Sequence, residues 1–599
     1  MKRRPLVLVA LVGPHALPPR SPRPSPPIEL APTPILALGL VLLMGWALAA
    51  CRSPGGETVA ADPAARASSG HGSGHAPGAP RGVELLPGVG DVHLPITTDD
   101  ELAQAYFDQG LALLYGFNHD EAARSFRRAA ELDPDAAMPW WGLALAIGPN
   151  YNDTGVDAAR AEATHEAVET ALARAPRASE REQAYVQAIS KRYASPDPAS
   201  DWLAFHHDYS AAMRELVQRY PDDLDAATLF AESLMMLRPW QLWTAAGEPA
   251  PGTLELVAVL EDVLRRDPRH LGANHFYIHT VEASKNLERA IPSAERLTTL
   301  APGAGHLVHM PGHIFLQTGD YDVAAETNVA AAEADRRFVE RTGATGMYPL
   351  MYWTHNIHFI AYARMQQGRY DEALEAARGM VRNVERGVSE MQMLEGFVTY
   401  PLSVMLAFRK HEAILAEPAP DPDWKLAVAF HHYARGVAHA ARGELDRAVA
   451  ERDRFAAAVG ALPKDARFLI NNAATDFLAV AAAVLETELA TARGENEKVP
   501  GLWRVAAERQ ALLQYDEPPP WYEPIAGREA AALLRADRSR EAEALFRRAL
   551  DVKPRDGRLL FGLWQSLLAQ GRRADAALVE RPFRAAWNSS TEPLRLDDL

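Results

Sequence analysis

A 34-residue clock constrains this chain more than any other feature. Leu256, Ala290 and Ala324 are spaced 34 and 34, as are Leu260 and Ala294, Pro268 and Pro302, and Glu541 and Asp575 near the C-terminus. A fixed period of this length calls for one helical hairpin per repeat, stacked so that each unit buries the face its neighbour leaves open. The histidines keep the same time. Asn274-His275-Phe276-Tyr277-Ile278-His279 recurs as Val308-His309-Met310-Pro311-Gly312-His313, so His275 to His309 and His279 to His313 are each 34 residues. A third helix carries His355 and His358.

Residue types fill out the period. Tyr106, Gly110, Ala122, Phe126, Ala129 and Pro134 fall where the tetratricopeptide-repeat consensus has places 4, 8, 20, 24, 27 and 32, and Ala542, Phe546, Ala549 and Pro554 repeat the last four. The sequence therefore resembles tetratricopeptide repeats: small residues let two antiparallel helices approach, aromatics fill the gap between units, and proline ends the second helix. Ala324 to Ala373 is 49 residues, so about 15 extra residues near 336–347 form an insertion or a lengthened helix. Strand signals are scarce. The expected fold is an all-α superhelix (a solenoid) with irregular repeats at 150–250 and 450–520.

The N-terminus reads differently. Ile35 to Ala50 is an apolar run behind an Arg-bearing stretch, too short for a comfortable membrane span and suited to a signal-peptide core. It ends Leu48-Ala49-Ala50-Cys51, which resembles the bacterial lipoprotein box; the resemblance implies a lipidated Cys51 and a protein anchored in the bacterial cell envelope, facing periplasm or exterior. Cys51 is the single cysteine, so no intrachain disulfide and no cysteine-rich zinc module can form. Gly/Ser/Ala/Pro-rich residues 51–95, with His71 and His75, read as a tether. The expected divisions are 1–50, 51–95, an N-terminal repeat region 96–240, a central His-rich region 241–410 and a C-terminal region 411–599. A net charge of −16 argues against a general nucleic-acid footprint.

With Ala290, Ala324 and Ala373 at place 20, His275, His309 and His358 fall at place 5, His279 and His313 at place 9, His306 and His355 at place 2, and Glu282 at place 12. At 3.6 residues per turn these places share one helix face. Resemblance to tetratricopeptide modules implies that places 5 and 9 look into a concave groove. Two readings follow. In the first the groove grips a peptide, protein partner or small ligand through hydrogen-bonding imidazoles. In the second, histidines at i and i+4 reach a metal ion, with His275, His279, His309, His313 and His358 as ligands of zinc, copper, iron or nickel and Glu282 as ligand or general base. A satisfied structural network is the third, bland reading. Arg238 and Glu232 are expected to form an internal ion pair, and Pro518-Pro519-Pro520-Trp521-Tyr522 a rigid turn into the last repeats.

The segments Asn274–Glu282, His306–Phe315, Tyr352–Phe359 and Pro518–Tyr522 are similar to a family of large bacterial tetratricopeptide-repeat proteins carrying an HMPSHI run. Here Gly312 takes the place of the serine, which is expected to open space while keeping both histidines. The resemblance implies the repeat fold over residues 100–599 and no particular activity.

Overall fold

The first hairpin shows how the sequence makes a repeat. Asp100 caps Glu101–Tyr115 by accepting from the backbone N–H groups of Leu102 and Ala103, and Asn118 caps His119–Leu132 through Glu121 N–H. Between the two helices lies Phe126, fully buried with Ala122 and Ala129. Glycine is required where the next backbones press on that ring: a Cβ at Gly110 would lie 2.7 Å from Phe126 and one at Gly142 only 2.4 Å away. The arrangement recurs at Phe546 and Gly562 in the last repeats, where a Cβ would come within 2.1 Å of the ring. Ala290, Ala324 and Ala373, the place-20 residues of the central repeats, are likewise fully buried, and so is the bulkier Leu256.

The computed structural model describes residues 82–588 and 593–599. Cys51, the apolar run at 35–50, His71 and His75 lie outside the described residues. The fold is the expected all-α helical-repeat solenoid. Among the described residues its only strands are Arg467–Phe468 and Asn472–Ala473, a two-residue antiparallel pair, and no helix is long and apolar enough to cross a membrane. Residues 82–95, which composition assigns to the tether, pack on the repeats. Val89 and Leu94 are buried, and Gly303 N–H donates to the carbonyl of Gly88 (2.7 Å).

The central repeats pair Leu271–Val281 with Ile291–Leu300, then Gly305–His309 and Pro311–Thr318 with Tyr321–Thr342, then Thr354–Gln366 with Tyr370–Val384. Pro311 lacks the N–H that would continue the helix ending at His309, so the first helix of the middle repeat is broken between its histidines. The 15 extra residues are a lengthened helix: Tyr321–Thr342 has 22 residues, and a π-helical turn at Tyr348–Trp353 leads into Thr354–Gln366. One hydrophobic core runs from Val89 to Ile314, a second from Leu316 to Ala532 and a third from Ala530 to Leu599, and the first two adjoin at a seam. The histidine-bearing helices lie at the seam.

Candidate metal centre

Six imidazoles meet at this seam, in two trios built to one rule. His275 and His279 of one repeat join His306 of the next; His309 and His313 join His355. Each trio takes places 5 and 9 of one repeat and place 2 of the following one. Within each trio one nitrogen per ring lies within 4.8 Å of the others. The rule also explains where His358 goes. It stands at place 5, but place 9 of its repeat is Tyr362. The His358 ring packs edge-on to Tyr400 (4.4 Å between centroids) and Phe397, apart from both trios, with both nitrogens buried and unpartnered.

The histidines do not line an open groove. His275, His279, His306, His309, His313 and Glu282 are all buried, and His355 is mostly buried. Aromatic rings cover the face. Phe117 lies over the first trio, 4.5 Å from His275 and 5.6 Å from both His279 and His306. Phe359 lies over the second, 4.6 Å from His309 and 5.0 Å from both His313 and His355. Trp240 closes on His279 from another side (5.9 Å). Phe117 and Trp240 both hold a left-handed backbone, φ 55° and 61°. That conformation costs a side-chain-bearing residue roughly 1–2 kcal/mol and here sets both rings against the imidazoles.

Partners fix the tautomers. His275 Nδ1 lies 2.5 Å from the carbonyl of Tyr115, which can only accept, so Nδ1 carries the proton and Nε2 the lone pair. Asn328 spends its amide N–H on the carbonyl of Ala324, so its Oδ1 accepts from His309 Nδ1 (2.7 Å). His279 Nδ1 donates to Glu282 Oε1 (3.1 Å). Three Nε2 lone pairs are thereby aimed inward, with the opposite nitrogen tied to a carbonyl, amide or carboxylate, as metal-binding imidazoles are held. His275 Nε2 lies 3.1 Å from His306 Nε2, and His279 Nε2 is buried with no partner. Burial drives the basicity of His275, His279, His306, His309 and His355 below the ordinary range, so all five are neutral.

His313 is the exception. Its Nδ1 lies 2.8 Å from Glu282 Oε2 and 2.6 Å from Glu517 Oε2, contacts short enough for ion pairs but poorly aligned as hydrogen bonds. Burial opposes its charge, yet the Glu282 and Glu517 carboxylates outweigh burial and push it up to about 10. The resulting imidazolium gives its Nε2 proton to His309 Nε2, 2.7 Å away. Burial works against Glu282 too, but His313 and His279 hold it down to about 2. Glu282 holds the place-9 histidine of each trio, with Oε1 on His279 and Oε2 on His313.

Glu517 escapes any sequence reading, standing about 200 residues from its partners in a loop just before the proline run. Burial raises its carboxyl against the pull of His313. The strand pair positions it: Asn472 Oδ1 accepts from Gln514 N–H (2.8 Å) and Asn471 Nδ2 donates to the carbonyl of Tyr515 (3.1 Å). Tyr515 and Gln317 both donate to Glu517 Oε1. The irregular stretch near 450–520 thus delivers a carboxylate to the centre. Glu232 pairs with Arg192 (2.8 Å) rather than with Arg238. Gly312 does not open space either, because a Cβ there would lie 2.4 Å from Asn328 Nδ2.

The family model described as tetratricopeptide repeat matches residues 107–147 and 528–590. Among solved structures the chain is similar to yeast Tom70, with 12% identity, 84% of this chain and 95% of that one covered, and a TM-score of 0.25. It is also similar to a human IFIT1 dimer with PPP-AAAA, with 11% identity, 82% and 91% covered, and a TM-score of 0.32. No curated protein matches. At such scores these likenesses say nothing of function.

Proposed function

We propose that this protein is a metalloprotein whose buried histidine centre holds a transition-metal ion inside a helical-repeat scaffold. One observation carries the reading: the inward Nε2 lone pairs of His275, His279 and His309, each with its Nδ1 already committed to a protein acceptor. A merely structural histidine gains by pairing both nitrogens, whereas His279 Nε2 and His306 Nδ1 are buried with no partner, and His275 Nε2 and His309 Nε2 meet only another imidazole. All-nitrogen donors suit copper, zinc, nickel or iron. The strained Phe117 and Trp240 and the 511–524 loop would exclude solvent from such an ion.

The anchor belongs to the same proposal. The apolar run ending at Ala50 and the following Cys51 support a lipid-tethered protein at the bacterial cell envelope. Tetratricopeptide repeats typically bind proteins or peptides, and the outer surfaces of the hairpins suit that role. The enclosed histidines are not part of such a surface.

Elemental mass spectrometry on the full chain, extracted and purified without a tag, tests the metal reading. Metal at or above one ion per chain, lowered in His309→Ala/His313→Ala, is the expected result. Metal-free protein that also takes up none on reconstitution would overturn it.

A further inference from the structure

The repeat that duplicates the histidines also duplicates what surrounds them. Each trio has its place-5 and place-9 imidazoles four residues apart in one repeat and its place-2 imidazole from the next repeat, and each is capped by a phenylalanine ring. His279 faces His313 at 5.4 Å between ring centroids, and His306 faces His309 at 5.6 Å, so the trios adjoin, while the nitrogens that come within 4.8 Å of one another fall into two separate groups of three. Glu282 spans them, with one carboxylate oxygen on His279 of the first trio and the other on His313 of the second.

We infer that the centre is dinuclear: two ions, one per trio, each bound by three imidazoles and joined through Glu282. This rests on the metal reading above and adds stoichiometry and coupling to it. Three neutral nitrogens per ion, with a hydrocarbon ring where a further ligand would stand, make a low-coordination set that favours copper over ions demanding six ligands. Glu282 and Glu517 supply negative charge beside two cations, and the Nε2 proton that His313 now donates to His309 leaves when the second ion binds.

The test is equilibrium dialysis of the full chain against copper(II) buffered by excess glycine, followed by electron paramagnetic resonance. Wild type should bind two coppers that survive the chelating buffer, with a signal broadened or diminished by coupling between them. His275→Ala/His306→Ala and His309→Ala/His355→Ala should each bind one, with an unbroadened signal from a single copper. Should an alanine pair fail to fold, His306→Gln and His355→Gln remove one ligand per trio with a polar side chain of similar length and should each weaken one of the two coppers at least tenfold. His358→Ala should keep both. One copper in wild type, abolished by either pair, would overturn the dinuclear inference while leaving the metal reading intact. Two coppers retained in both pairs would show that the trios are not the ligands. No copper in wild type would overturn both.

Discussion

Stripping the metal exposes the buried charge at His313 and gives it a measurable pH dependence. In the folded chain the imidazole is held at about 10 by Glu282 and Glu517, against an ordinary value of 6.5. Protons therefore bind the folded state more tightly than the unfolded one. The stabilisation is fully present below about pH 6.5 and is lost as pH rises toward 10. A gap of about 3.5 pKa units at roughly 1.4 kcal/mol each amounts to about 5 kcal/mol across that window. The assay is urea unfolding of chelator-treated protein at half-unit steps from pH 6 to 10.5, in wild type and in His313→Gln. The glutamine side chain cannot titrate, so the difference between the two curves reports the imidazolium together with the Glu282 and Glu517 carboxylates it faces. Wild type should lose several kcal/mol more than the variant over the window. Glu517→Gln, which leaves a single carboxylate at the imidazole, should shift the loss to lower pH. Parallel curves for wild type and His313→Gln would refute the charge assignment.

Other perturbations separate the roles assigned to neighbouring residues. Gly312→Ser places a Cβ against Asn328 and displaces the amide that orients His309; metal affinity measured by competition with a chromogenic chelator should fall 10–100-fold, and unchanged affinity would show that Asn328 does not orient a ligand. Glu282→Gln keeps the shape but removes the charge that holds both place-9 histidines, and the same assay should again show a 10–100-fold loss. His355→Ala should cost metal while His358→Ala does not, the reverse of what place 5 alone suggests. Cys51→Ala should abolish incorporation of a radiolabelled fatty acid in a bacterial host, whereas a label that persists would place the anchor elsewhere.

The period made the repeat architecture legible from residues alone: Ala122, Phe126 and Ala129 pack as their consensus places require. Seven of the eight residues singled out for the site, His275, His279, Glu282, His306, His309, His313 and His355, converge because the 34-residue spacing puts them on equivalent turns of stacked helices. His358 shares the spacing but not the rule, since a trio also needs a histidine four residues on and another at place 2 of the next repeat. Enclosure was not legible. Place 5 of an isolated repeat faces a groove, and nothing local announces that Tyr115, Phe117, Trp240 and the loop at Glu517 fold over it. Those contacts span up to 200 residues and arise from tertiary packing. The left-handed Phe117 and the strand pair within 467–473 carry no periodic signal. Glu517 had one faint marker, its place just ahead of three consecutive prolines.

The central claim is that imidazole nitrogens bind metal in the seam between the first two cores. X-ray absorption at the edge of whatever metal accompanies the purified full chain tests it most directly. A first shell of about three nitrogens near 2.0 Å, with the outer-shell scattering of imidazole rings, is the predicted result. A shell dominated by oxygen or sulfur, or a metal content unaltered in His309→Ala/His313→Ala, would contradict it.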